Sequence, residues 1–383
     1  MKLKFAGKKR GQNEGSIFQR KDGRWVGVLT LGWVNGTRKR RSFYGKTRKE
    51  AHEKLTAALR DQQRGLPIVG ERHTLQEFLG RWLEDSVRPT VRPRTLESYA
   101  EICRLHLTPT LGRLPLVKIT PQHIQSLLNE KLESGLSSRR VQYIHAVIRR
   151  ALGQAEKFSL VPRNVARLVD SPSVSRIEVV PFNASETKKF LAAVEGDRLG
   201  ALFVVAVGVG LRKGEILGLY WSDIDFEQQE LRVRRSLQRI GGQLQFVPPK
   251  TDRSRRVLGL PAFVVQALRQ HRSRQLEELL HADGSWQDSD LVFTTLTGAP
   301  LDGPGVTRRL HRILQSNGLP RVRFHDLRHT NASLQLFKEV DLPTIMKNMG
   351  HSQISLTSEV YTHVVPELQR EAARKMDDLL GTY

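Results

Sequence analysis

The chain has 383 residues, enough for two or three domains of about 150 residues each, and sets 62 Lys and Arg against 39 Asp and Glu, a formal net charge of +23. A surplus of that size exceeds what solubility needs and points to a polyanionic partner. The single cysteine, Cys103, excludes an intramolecular disulfide, and the longest apolar run, residues 201–211, is too short to span a bilayer, so neither a secreted nor a membrane class is expected.

The charge is uneven. Residues 1–65 hold 18 Lys and Arg and 5 Asp and Glu, which is 13 of the 23 net charges. The start, MKLKFAGKKRG, is basic without a signal peptide's apolar stretch and reads as an arm. Residues 14–45 then read as three short strands joined at Asp22-Gly23 and Asn35-Gly36, the dipeptides that favour tight hairpin turns. Thr47 and Glu50 have the spacing of a capping box and open a helix. Arg38, Lys39, Arg40 and Arg41 fall on the third strand and are candidate DNA contacts; the plainer reading is a charged edge strand that resists pairing.

Residues 65–70 read as a linker. From Thr74 the periodicity turns helical: four helices are predicted within about a hundred residues, with Thr120-Pro121 as an N-cap and first helical position, and Gly135 as a stop. This predicts a small all-α domain, with Cys103, Tyr99 and Tyr143 in its core. Its Arg94, Arg139 and Arg140, with Arg88, Arg92, Arg149 and Arg150, are candidate phosphate contacts as a group, although each alone reads as a solvated helix position. A second linker, residues 170–180, leads to a mainly helical domain in which ELRVRRS, GQLQFVPP and RRVLGLP predict a small antiparallel sheet and LVFTT a further strand. The fold class is therefore α+β and multidomain, and the last run, PELQREAARKMDDLL, is an amphipathic helix.

The chemistry gathers in the last two hundred residues. Arg212 follows an apolar helix broken at Gly208-Val-Gly210, and Glu215 lies three residues on, sharing its face. Lys250 sits in PPKTDRSRR, on a turn between two predicted strands. His325 and Arg328 are three apart in FHDLRHT, His351 follows a glycine, and Tyr361 comes ten residues later. Two guanidiniums suit a phosphoryl centre because each offers planar, bidentate, permanently charged donors. A lysine can protonate a leaving oxygen, histidines relay protons near neutrality, and a tyrosine so surrounded becomes a nucleophile. A phosphotyrosine ester keeps the energy of the broken bond, so no metal, ATP or other cofactor is expected. The run from His325 to His329 also imitates the H-E-x-x-H zinc helix, with Asp326 for glutamate; without a convincing third ligand, Asp326 and His329 read as bystanders.

The texts GLRKGEILGLYW, PPKT with a following RSRR, HDLRHT, MGHS and Tyr-Thr-His at 361–363 together resemble the tyrosine recombinase, or phage integrase, family. The resemblance implies that Arg212, Lys250, His325, Arg328 and His351 surround a scissile phosphate in DNA, that Tyr361 is the nucleophile, and that Glu215 supports the first arginine. It implies three domains: an arm-type DNA-binding domain at 1–66, a core-site-binding helical domain at 71–170, and a catalytic domain at 178–383. It further implies a homotetramer on double-stranded DNA carrying core-type and arm-type sites, four-way-junction intermediates, and a cytoplasmic, nucleoid-associated life. A DNA-bending host protein and an excision directionality factor are the accessory partners it brings into view. The rival readings are a type IB topoisomerase, which rejoins the same strand, and a catalytically silent DNA-binding regulator.

Overall fold

The structure is a computed structural model that describes residues 15–34, 37–63, 73–174, 180–249, 255–282, 284–350 and 373–381. The chain divides into two units, Met1–Ser175 and Arg176–Tyr383.

In the first unit, strands β1 (Ser16–Gln19), β2 (Trp25–Val34) and β3 (Thr37–Gly45) form an antiparallel sheet in that order. The β1–β2 turn works because Gly23 takes φ +80° and the Asp22 carboxylate accepts the Arg24 backbone N–H at 3.2 Å; the Asn35-Gly36 turn lies outside the described residues. Helix α1 (Arg48–Gln63) covers one face, burying Leu29, Leu55 and Ala58 against Ile17 and Phe43. Thr47 accepts the Glu50 N–H as the capping pattern predicts, but the Glu50 carboxylate takes the N–H of Lys46 instead of Thr47's own.

The same unit continues as helices. The first is α2 (Leu75–Arg81), capped reciprocally by Thr74 and Glu77 and prolonged by a π-helical stretch, Trp82–Val87. Next, α3 (Pro93–Ile102) runs through a second π-helical stretch, Cys103–Leu107, into the short α4 (Thr108–Leu111). Helix α5 (Pro121–Glu133) starts at the Thr120 cap and ends before Gly135, whose φ of +87° turns the chain into α6 (Ser138–Lys157). Their apolar stripes close on one core that includes Trp82, Ile102, Ile124, Ile144 and Ile148. Cys103 is buried there, and burial pushes its thiol up to about 12, so it is an inert packing residue. Tyr99 and Tyr143 are half-buried against this core.

In the second unit the order is α7 (Ala184–Val194), α8 (Gly200–Gly208), α9 (Lys213–Leu217), β4 (Ile224–Asp225), β5 (Glu230–Val233), β6 (Ser236–Ile240), β7 (Gln243–Val247), β8 (Arg256–Gly259), α10 (Ala262–Leu280), α11 (Gly303–Ser316), α12 (Phe324–Phe337) and α13 (Leu342–Met349). A last helix covers 373–380. The predicted single sheet is corrected in detail. The segment ELRVRRS divides between β5 and the start of β6; RRVLGLP pairs with β5 in a β4-β5-β8 sheet, while GQLQFVPP pairs with Ser236–Ile240 as a separate hairpin. The predicted strand LVFTT forms only isolated bridges, Tyr220 to Leu291 and Thr294 to Pro300. Its Val292 and Phe293 are fully buried, which explains the apolar run without a strand.

Helix α8 is apolar on all sides because it runs through the middle of this unit's core. Its Phe203 is fully buried, with ring centroids 6.2 Å from both Phe190 and Phe324. Phe203→Ala is expected to cost about 3–5 kcal/mol in a denaturant titration of the second unit; a cost under about 1 kcal/mol would mean the helix packs elsewhere.

Candidate active site

The site is assembled from two helix ends. Helix α8 stops at Gly208, and Gly210 then takes φ +71°; a β-carbon there would lie 2.6 Å from the Asn331 Oδ1 of α12. Only glycine fits that approach. The turn delivers Arg212 to the N-cap of α9, where its backbone N–H donates to Glu215 Oε2 at 3.0 Å and its Nη1 donates to Glu215 Oε1 at 2.8 Å. From the facing helix, the Asn331 Nδ2 donates to the Val207 and Gly208 carbonyls, and Arg328 Nη1 donates to the Gly210 carbonyl at 2.6 Å. Residues 328 and 331 share a face of α12, so one turn of that helix satisfies the orphan carbonyls that close α8.

The second helix end is that of α13. Gly350, left-handed at φ +61°, terminates it and leaves a run of carbonyls pointing onward. Three consecutive carbonyls each receive one arginine. Asn348 accepts from Arg256 Nε at 2.6 Å, Met349 from Arg328 Nη2, and Gly350 from Arg212 Nη2 at 3.0 Å. Neighbouring Cα atoms stand about 3.8 Å apart, so three guanidiniums are drawn together over two peptide units. The negative end of the helix dipole favours cations at this place.

One carboxylate moderates the cluster. Glu215 is 4% exposed and also accepts from Arg256, Nη2 at 3.0 Å and Nη1 at 3.4 Å. Burial pushes its carboxyl up, but the Arg256 hydrogen bonds and charge, with the Arg212 charge and backbone N–H, outweigh it and hold the group below its usual range. Arg328 is 1% exposed, and burial, reinforced by the Arg212 and Arg256 charges, lowers it to about 9, still a cation at neutral pH. Its Nε is buried with no hydrogen-bond partner among the described residues. A buried donor without an acceptor is costly and usually has a reason in function.

His325 stands one turn before Arg328 at the exposed rim of the cluster, its ring 5.0 Å from that of His329 and perpendicular to it. Protein packed behind the ring, then the His329, Arg328 and Arg212 charges, lower His325 to about 4 although its outer side meets solvent. In the run that imitates a zinc helix, Asp326 accepts from the Arg323 backbone N–H at 2.7 Å and from its guanidinium, capping α12. Among the described residues no third His, Cys, Asp or Glu joins His325 and His329.

The model of the phage integrase family matches residues 182–367, and that of the phage integrase N-terminal SAM-like domain matches residues 74–132. A tyrosine recombinase XerC-like protein of Caldanaerobacter subterraneus subsp. tengcongensis is 33% identical over 365 residues, covering 90% of this chain and 93% of its own. The chain belongs to the phage integrase family of tyrosine recombinases. Solved folds agree. The Tn1549 transposon integrase in complex with transposon right end DNA matches with a TM-score of 0.66 at 21% identity, covering 78% of this chain and 99% of that one. A lambda integrase tetramer bound to a Holliday junction matches with a TM-score of 0.57 at 20% identity, covering 92% and 96%.

In this recombinase, Arg212 and Glu215 meet His325 and Arg328 across 110 residues of chain or more, while Lys250, His351 and Tyr361 lie outside the described residues. Arg256, which sequence reasoning left without a role, is the third guanidinium of the cluster. A signal for it existed: in β8, Leu258 is buried between the exposed Val257 and Gly259, so the alternation places Arg256 inward as well.

The candidate DNA contacts are scattered. Arg38 and Lys39 pair through their backbones with Trp33 and Gly32, and their side chains lie outside the description. Arg40 is exposed, whereas Arg41 pairs with the buried Leu29 and lies over the Phe43 ring at 5.8 Å. On the helical part, Arg94 is exposed and bonded to Glu97 at 2.6 Å. Arg139 is exposed and donates to Gln142 at 3.0 Å; Arg140 is half-buried and pairs with Glu101 at 3.1 Å. Arg150 lies over the Tyr99 ring. Among the described residues no helix is long and apolar enough to cross a membrane.

The histidine gives a pH prediction. His325 in the folded protein lies below the ordinary 6.5, so as pH falls the unfolded chain takes its proton first. Its contribution to stability is whole above about 6.5 and is lost as pH drops from there towards 4. An NMR titration of the DNA-free protein is expected to put the His325 ring midpoint near 4; a midpoint above 6 would show that the ring is neither packed against protein nor held beside the cations.

Proposed function

We propose that this recombinase carries out site-specific exchange between DNA duplexes, with Tyr361 as nucleophile and Arg212, Lys250, His325, Arg328 and His351 around the scissile phosphate. The observation that carries the reading is the held pair of arginines. Arg212 and Arg328 bond adjacent carbonyls, and Arg328 keeps a buried N–H without a partner among the described residues. Both are fixed before any substrate arrives, which is what electrostatic stabilisation of a phosphoryl transition state requires.

In this mechanism the Tyr361 oxygen attacks phosphorus as the bond to the 5′-oxygen breaks, and the departing oxygen takes a proton from Lys250. The non-bridging oxygens gain charge and lean on Arg212 and Arg328. The tyrosyl proton passes to an imidazole, and a neutral His325 suits the part because it has a free ring nitrogen to receive it. The product is a 3′-phosphotyrosyl bond and a free 5′-hydroxyl. The 5′-hydroxyl of the partner duplex then attacks phosphorus and gives its proton to the now neutral Lys250, while the tyrosyl oxygen leaves and takes its proton back from the imidazole, and exchange proceeds through a four-way junction. The phosphotyrosyl bond conserves the energy of the diester, so the cycle needs neither ATP nor metal.

The three divisions of the chain fit three tasks: catalysis at 178–383, core-type sites at 71–170 and arm-type sites at 1–66, where net charge is densest. A homotetramer on two sites is the working unit, by likeness to the lambda integrase tetramer on its Holliday junction. Phosphate contacts from Arg40, Arg94, Arg139 and Arg140, with Arg38, Lys39 and Arg41, supply affinity that falls with salt.

A nicked duplex built from the DNA that flanks the coding region is expected to trap a covalent adduct with the unchanged protein and none with Tyr361→Phe. Two such duplexes together are expected to yield exchanged products. No adduct from the unchanged protein would favour a regulator, and supercoil relaxation without exchange would favour a topoisomerase.

A further inference from the structure

We propose that Arg256 is a positioning residue that acts through Glu215 to keep the Arg212 guanidinium oriented and electrostatically available to the substrate phosphate. The inference rests on the reading above and adds a residue to which that reading gives no part.

The geometry is a fork. Arg256 is the first residue of β8, with a side chain 5% exposed. Its Nε donates to the Asn348 carbonyl at 2.6 Å while Nη2 and Nη1 donate to the two oxygens of Glu215 at 3.0 and 3.4 Å. Glu215 holds Arg212 by its backbone and its guanidinium. One planar group thus spans the acidic residue and the helix end that also anchors Arg212 and Arg328, a reach that the single nitrogen of a lysine cannot reproduce.

The electrostatics give the fork a purpose beyond packing. A buried carboxylate paired with Arg212 alone would cancel the charge that the developing oxyanion needs. With Arg256 on the other side, the carboxylate is shared, and the group as a whole stays cationic. Charge is also tied to connectivity. Arg256 begins the strand that leaves residues 250–254, where Lys250 lies, and Asn348 precedes His351 by three residues. In sequence, the two residues it joins therefore lie six residues after Lys250 and three before His351.

The test compares the unchanged protein with Arg256→Gln, Arg256→Lys, Glu215→Gln and the Arg256→Gln/Glu215→Gln double variant, measuring single-turnover attachment to the nicked flanking duplex and duplex affinity. Arg256→Gln is expected to slow attachment about 100-fold, the scale of a misplaced catalytic group, while affinity changes little. Arg256→Lys keeps a charge beside Glu215 without the fork and is expected to recover only part of the rate. The double variant is expected to fall within about twofold of the slower single variant, because both substitutions break one path. Unchanged attachment by Arg256→Gln, or effects that simply multiply, would overturn the inference. A Glu δ-carbon NMR titration gives a second readout that does not depend on attachment: the Glu215 midpoint is expected to rise in Arg256→Gln, and an unmoved midpoint overturns the inference. Absence of an adduct from the unchanged protein would count against the proposed chemistry, and the titration would still decide the role of Arg256.

Discussion

Three arginines sit on three successive carbonyls at the end of one short helix, and the second unit is built to keep them there. Like charges this close repel, and burying them is costly. The cost is offset locally: the helix dipole presents its negative end, each guanidinium gains a charge-assisted hydrogen bond, and Glu215 lies between two of the three. The residual positive charge is what a phosphodiester would meet. A polyanionic substrate completes the balance that the protein alone leaves open.

This constraint explains why distant segments meet. The α8–α9 turn supplies Arg212 and Glu215, β8 supplies Arg256, α12 supplies Arg328, and α13 supplies the acceptors. Gly210 and Gly350 both take left-handed backbone, which strains any residue with a side chain, and both stand at the helix ends whose carbonyls the arginines occupy. The aromatic packing of Phe190, Phe203 and Phe324 sets the distance between α8 and the start of α12, and so between the first and second arginine. Fold stability and site geometry share these contacts.

How much could be read from the chain alone follows from the range of each signal. The helix start at Thr74, the cap at Thr120, the stop at Gly135 and the turn at Gly23 depend on neighbours within about four residues and were legible. The π-helical stretches after Arg81 and Ile102 were not, because they leave the apolar period almost intact. The small antiparallel sheet was legible but its division in two was not, because pairing between β5 and β8 skips the intervening hairpin, which no local pattern announces. In the site, Arg212 and Arg328 stood out through spacing and motif. Arg256 was hidden among the basic residues of RSRR, where composition says surface and only the alternation with Leu258 says inside. Asp326 looked like part of a metal helix and is a cap, since its partner, Arg323, lies just upstream in sequence.

The central claim is that Arg212 and Arg328 are held in advance for one phosphate. The most direct measurement is a structure of the protein on a nicked core-site duplex with the scissile phosphate in place. The account predicts both guanidiniums within hydrogen-bond distance of non-bridging oxygens of that single phosphate, with their bonds to the carbonyls of Gly350 and Met349 retained. Two arginines on different phosphates, or an Arg328 that must leave Met349 to reach DNA, would contradict it.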